Sequence, residues 1–118
     1  MYDRITEVSL LYDFYGELLP NRQKEVFTLK YEDDLSLSEI AAELSISRQG
    51  VHDALKNGEK ALMKYEEKLG LVEKFEDSTK AIKEIDNEIN RIIGECGKGN
   101  PIADDLKKIQ KIIDSIDI

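Results

Sequence analysis

The chain has no tryptophan, one cysteine, one histidine and two prolines among 118 residues. Each scarcity removes a class of protein. With Cys96 alone no internal disulfide can form, so the chain is expected in a reducing compartment. With His52 alone there is no two-histidine metal site, and no serine or second thiol stands in a pattern that it could activate. Pro20, Pro101 and seven glycines leave little material for the many turns of an all-β fold. No apolar run approaches the ~20 residues that would span a bilayer. The opening Met1-Tyr2-Asp3-Arg4 lacks the basic start and apolar run of a secretory signal. The expectation is a cytoplasmic protein with no membrane association.

What is abundant is charge on a helical pattern. Charged residues make up 36% and hydrophobic residues 41%, enough for a core bordered by long solvated helix faces. The net charge is −8, which counts against tight, indiscriminate binding to phosphate backbones, because that binding comes from basic charge releasing counterions.

The apolar residues fall at helical spacing from end to end. Ile5, Val8, Leu11, Tyr12 and Tyr15 make a first stripe, widened by Leu10 and Phe14 until burial on more than one side is expected. Gly16 stops that helix. Pro20 suits the first turn of a second helix, which carries Val26, Phe27 and Tyr31 inward and ends at the acidic run Glu32-Asp33-Asp34. That run lacks the alternating oxygen ligands and glycine of a calcium loop. Ser36 and Glu39 have the spacing of a capping box, and a short helix follows with Ile40, Ala41 and Leu44 inward. Ser45-Ile46-Ser47 makes a turn in which Ser47 can cap the next helix. From there Val51, Leu55, Gly58, Leu62, Tyr65 and Leu69 form one seam up to Gly70, read as a break or a kink. A further seam runs Val72, Phe75, Thr79, Ile82, Ile85, Ile89 and Ile92. Gly94 to Asn100 is a connector, and Pro101 opens a last helix with Ile102, Leu106, Ile109, Ile113 and Ile116 on one side. The connector lacks the preceding strand and the Lys-Ser/Thr ending of a phosphate-cradling loop.

Two short helices joined by a tight polar turn satisfy the requirements of a helix-turn-helix. Ile40, Ala41, Leu44, Ile46, Val51 and Leu55 supply its core, with Ala41 small enough for close crossing. Ser45 stands where glycine is frequent, so the backbone there either avoids the left-handed region or accepts a small strain. Ser47, Arg48, Gln49, Gly50, His52, Asp53 and Lys56 are the candidate DNA-contacting residues. Arg48 suits guanine, Gln49 suits adenine, and Ser47 with the free N–H groups of the helix start suits a phosphate. Gly50 allows close backbone approach. Lys56, Lys60 and Lys64 extend a narrow basic edge. Yet from Arg48 to Lys68 five basic residues face four acidic ones, which fits a dimer, a weak binder or a partner-docked module. On spacing alone, a structural helix pair that touches no nucleic acid is an equal alternative.

The motifs LLYDFYGELL (Leu10 to Leu19), YEDDLSLSEIA (Tyr31 to Ala41), SRQGVHD (Ser47 to Asp53) and YEEKLGL (Tyr65 to Leu71) resemble the YlxM family of helix-turn-helix regulators. The segment from Leu19 to Arg48 also resembles DNA-binding region four of sigma factors. Gly50 and His52 depart from the family's more familiar alanine and aromatic. The resemblance implies an all-α fold, a regulatory rather than enzymatic role, and no cofactor, metal or catalytic residue. It also implies a link to the signal recognition particle pathway. The expected arrangement is a helix-turn-helix domain with its N-terminal helix over residues 1–69 and a helical extension for packing or dimerisation over 70–118. The expected partners are DNA, with RNA as a second candidate, a second copy of the chain, and the signal recognition particle protein. The alternative is an accessory protein that contacts that particle's GTPase or its RNA without binding DNA.

Overall fold

The computed structural model describes residues 3–116, so residues 1–2 and 117–118 at the ends of the expected domains lie outside it. Among the described residues the chain is all-helical. The helices are α1 (Arg4–Tyr15), α2 (Asn21–Phe27), α3 (Leu37–Leu44), α4 (Arg48–Leu69), α5 (Leu71–Glu95) and α6 (Pro101–Asp114). A 3₁₀ turn, Gly16–Leu18, follows α1, and a π turn, Thr28–Glu32, follows α2. The chain forms two compact units, Met1–Val72 and Glu73–Ile118.

Local chemistry sets most helix ends in the first unit. Asp3 caps α1 by accepting from the Thr6 N–H at 2.8 Å. Pro20 sits one position earlier than expected, as the capping residue of α2 rather than inside its first turn. Its carbonyl accepts from the Lys24 N–H at 3.0 Å. The second helix reaches Glu32 only by widening into the π turn, whose hydrogen bonds close at Asp33. At α3 both halves of the capping box form: Ser36 Oγ accepts from the Glu39 N–H, and Glu39 Oε1 accepts from the Ser36 N–H, each at 3.1 Å.

Two clusters make the core of this unit. Val8, Leu11, Tyr15, Leu19, Phe27, Leu62 and Val72 form one. Val26, Ile40, Ala41 and Val51 form the other, and Leu55 packs against both. The first stripe is buried on one side only, against the expectation from its width. The inward direction of α1 is set by Val8, Leu11 and Tyr15, and at about 100° per residue both Ile5 and Phe14 lie roughly a quarter turn from it. Ile5 is accordingly 71% exposed, bordering an open cleft of about 500 Å³ with Leu10, Lys30 and Tyr31. The α4 seam likewise stops short of its end, with Leu62 buried and Leu69 exposed.

Gly70 ends α4 in the left-handed region (φ 62°), donating its N–H to the Glu66 carbonyl. In the second unit Ile89 is buried, and Gln110 Nε2 donates to Asn90 Oδ1 at 2.8 Å, tying α6 to α5. The expected connector begins later than Gly94, because α5 continues through Glu95. Asn100 caps α6 by accepting from the Ile102 N–H, with Pro101 in the first turn. Ile85, Ile102, Ile109, Ile112 and Ile116 are exposed.

Candidate nucleic-acid interface

The turn between α3 and α4 is built by three neighbouring residues. Ser45 takes the left-handed conformation (φ 55°, ψ 44°) without being glycine. This lets the Ile46 N–H reach back to the Ala41 carbonyl at 3.0 Å, closing the end of α3. Ser47 then returns to an extended backbone, and its Oγ accepts from the Gly50 N–H at 2.9 Å, opening α4. Beneath the turn Ile40 and Val51 are fully buried and Ala41 is buried at the crossing. Leu44, Ile46 and Leu55 are half-buried and pack against that cluster.

With that side of α4 held inward, its opposite side is presented to solvent. Arg48, Gln49, His52, Asp53 and Lys56 are all exposed. Gly50 is half-buried and does not belong to the outward row. A Cβ there would meet Ser47 Oγ at 3.2 Å and Ile46 Cδ1 at 3.8 Å, so the position faces the turn. Ser47 is exposed, but its oxygen is already engaged as the helix cap, leaving its hydroxyl hydrogen for a phosphate.

Among the described residues Arg48, Lys56, Lys60 and Lys64 form no ion pair. They continue an exposed row at intervals of four residues through His52. Arg4, by contrast, is spent on Glu59 at 3.0 Å. Inside the outward row Asp53 Oδ1 accepts from Gln49 Nε2 at 2.9 Å and lies 3.7 Å from His52 Nδ1. Pairing Gln49 with Asp53 was not anticipated from the sequence, although their separation by four residues on one helix is a readable signal.

A second feature escaped sequence reading. The buried Tyr15 hydroxyl donates to Glu66 Oε1 at 2.5 Å and accepts from the Leu71 N–H at 3.0 Å, while Glu66 Oε1 also accepts from the Val72 N–H at 2.9 Å. These bonds satisfy the first N–H groups of α5, which has no side-chain cap of its own from Gly70. Burial, and then the bond to Glu66, push the Tyr15 hydroxyl above its ordinary pKa.

No group of three or more His, Cys, Asp or Glu among the described residues is placed to hold a metal ion. No described helix is long and apolar enough to cross a membrane.

The crossed helices α3 and α4, their buried clamp and the capped start of α4 define a helix-turn-helix protein. The chain belongs to the family described as "Putative helix-turn-helix protein, YlxM / p13 like" (UPF0122), whose profile matches residues 2–95. A UPF0122 protein of Caldanaerobacter subterraneus subsp. tengcongensis is 53% identical over 85 residues, covering 72% of this chain and 73% of that protein. One from Listeria welshimeri is 41% identical over 91 residues, covering 77% and 83%. One from Thermoanaerobacter sp. is 40% identical over 118 residues, the full length of both.

Proposed function

We propose that this protein is a cytoplasmic regulator that binds duplex DNA, setting the first turns of α4 into the major groove. The observation that carries this reading is the exposed, unpaired Arg48 beside the Gln49 amide, at a helix start whose opposite face is locked by Ile40, Ala41 and Val51. An Arg can bond guanine O6 and N7 together, and a Gln can bond adenine N6 and N7. The row Lys56, Lys60 and Lys64 supplies charge for the flanking phosphates. The resemblance to sigma-factor region four supports the same docking.

The net charge of −8 sets the regime. One such head carries too little basic charge for strong binding alone, so the protein works as a homodimer reading two half-sites about one helical turn (~34 Å) apart. The exposed isoleucines of the second unit supply apolar surface for that pairing. Selection from random duplexes tests the reading. A defined site should be enriched, and Arg48→Ala should weaken its binding by roughly 1–3 kcal/mol. Failure to enrich any sequence removes the reading.

The acidic charge and the family resemblance favour a second reading, in which the protein is an accessory of the signal recognition particle contacting its GTPase or its RNA. A pull-down from cytosol that recovers neither component removes that one.

A further inference from the structure

An acidic residue stands in the middle of the proposed reading face. Asp53 is exposed, four residues after Gln49 and three before Lys56. Against a phosphate backbone a carboxylate there is unfavourable. It does not neutralise a reading cation, because Arg48 and Lys56 form no ion pair among the described residues. Its nearer partner is neutral: Asp53 Oδ1 accepts from Gln49 Nε2 at 2.9 Å, whereas His52 Nδ1 at 3.7 Å is beyond hydrogen-bond reach.

The consequence lies in the geometry of a primary amide. Gln49 has two N–H hydrogens and one carbonyl oxygen. The bond to Asp53 uses one hydrogen, and among the described residues Oε1 and the other hydrogen have no partner. With Asp53 taking the hydrogen remote from Oε1, the hydrogen left over is the one beside Oε1, a donor next to an acceptor. The major-groove edge of adenine presents the complementary pair, N7 as acceptor and the N6 amino group as donor. A free glutamine would have to freeze several torsions to make both bonds, whereas one tied a turn further along the helix has lost much of that freedom before DNA arrives.

We infer that Asp53 is a positioning residue: it holds the Gln49 amide oriented for bidentate recognition of adenine. The inference rests on the DNA-binding reading and adds to it a base and a residue that acts without touching that base. The carboxylate weakens attraction to all DNA alike and sharpens the choice of one base.

The test uses the full-length chain and random duplexes, with wild type, Gln49→Ala, Asp53→Ala and Asp53→Asn compared. Circular dichroism verifies that each variant keeps its helix content. The wild type should enrich an adenine over the next-best base by roughly tenfold at one half-site position, and Gln49→Ala should abolish that preference. Asp53→Ala should lower the preference at least threefold while tightening binding to unrelated duplexes. Asp53→Asn, which keeps an oxygen acceptor but not the charge, should retain the adenine preference and share the tighter background binding. A purely electrostatic Asp53 would move affinity in both variants and leave base preference unchanged. An undiminished adenine preference in Asp53→Ala overturns the inference and leaves the DNA reading standing. So does equal loss in both Asp53 variants, or a selected site with no adenine that depends on Gln49. A wild type that enriches nothing overturns the DNA reading, and this inference falls with it.

Discussion

The backbone of α4 at Gly58 lies directly against the ring of Phe27. A Cβ at position 58 would come within 2.3 Å of Phe27 Cε2 and 2.9 Å of Cζ, so only glycine permits the observed approach. Phe27 cannot yield easily. It is fully buried, with Tyr12 stacked at 5.3 Å and Tyr31 at 5.5 Å between ring centroids.

Gly58→Ala is therefore expected to destabilise the first unit by up to about 2 kcal/mol net. Overpacking of about 1–3 kcal/mol outweighs the roughly 1 kcal/mol gain in helix propensity. Urea denaturation measures the loss. Adding Phe27→Leu to Gly58→Ala should bring a smaller total loss than the sum of the two single changes, because the second change makes the room the first one needs.

Tyr15→Phe removes a hydroxyl that serves Glu66 and the Leu71 N–H together. The expected loss is about 1–3 kcal/mol, the range for leaving buried polar groups without a partner. The same hydroxyl gives an alkaline signature. Its pKa is raised above 10.0 in the native state, first by burial and then by the Glu66 bond, so above that pH the unfolded chain releases a proton the native chain keeps. Stability is full below pH 10.0 and falls as pH rises through the native value. Tyr31, raised by burial and then by Glu59, adds to this slope. The slope should be shallower in Tyr15→Phe, as read from denaturation midpoints across alkaline pH.

Ser45→Gly should stabilise. A side chain in the left-handed region disfavours the fold by about 1–2 kcal/mol, and glycine recovers this minus its own greater chain entropy of about 0.5–1 kcal/mol. The net gain is about 0.5–1 kcal/mol, visible as a higher melting temperature. An unchanged or lower one would contradict the strained turn. Because the outward row of α4 is untouched, any selected DNA site should be unchanged.

Ser36→Ala removes the hydroxyl half of the capping box and leaves the backbone N–H that donates to Glu39, with an expected loss of about 1 kcal/mol. An acid-limb effect accompanies it. The Ser36 backbone N–H, and then its hydroxyl, hold the Glu39 carboxyl below the ordinary glutamate value of 4.5. That contribution is present above pH 4.5 and is lost as pH falls below it through the native value, since the unfolded chain then takes up the proton first. In Ser36→Ala the acid limb of a stability–pH profile should lose part of its slope.

The helical class and most of the helix ends follow from local residue order alone. The capping box at Ser36 and Glu39, the Ser47 cap, the stop at Gly70 and the start at Pro101 all act within about four residues, the reach of one helical turn. Their meaning is fixed before any tertiary contact forms. The outward direction of Gln49 was legible for the same reason, since apolar Val51 and Leu55 set the opposite side, whereas Arg48, seven residues before Leu55, lies near that apolar side and is exposed because it opens the helix. Packing between distant segments settled that Ile5 and Phe14 fall on the flank of the core, that Gly58 is a contact surface for Phe27, and that Tyr15 and Glu66 together open α5. Each of these depends on where one helix lies against another. Periodicity gives the direction of a side chain about its own axis, and it carries no information on which ring or hydroxyl from a distant part of the chain will be there to meet it.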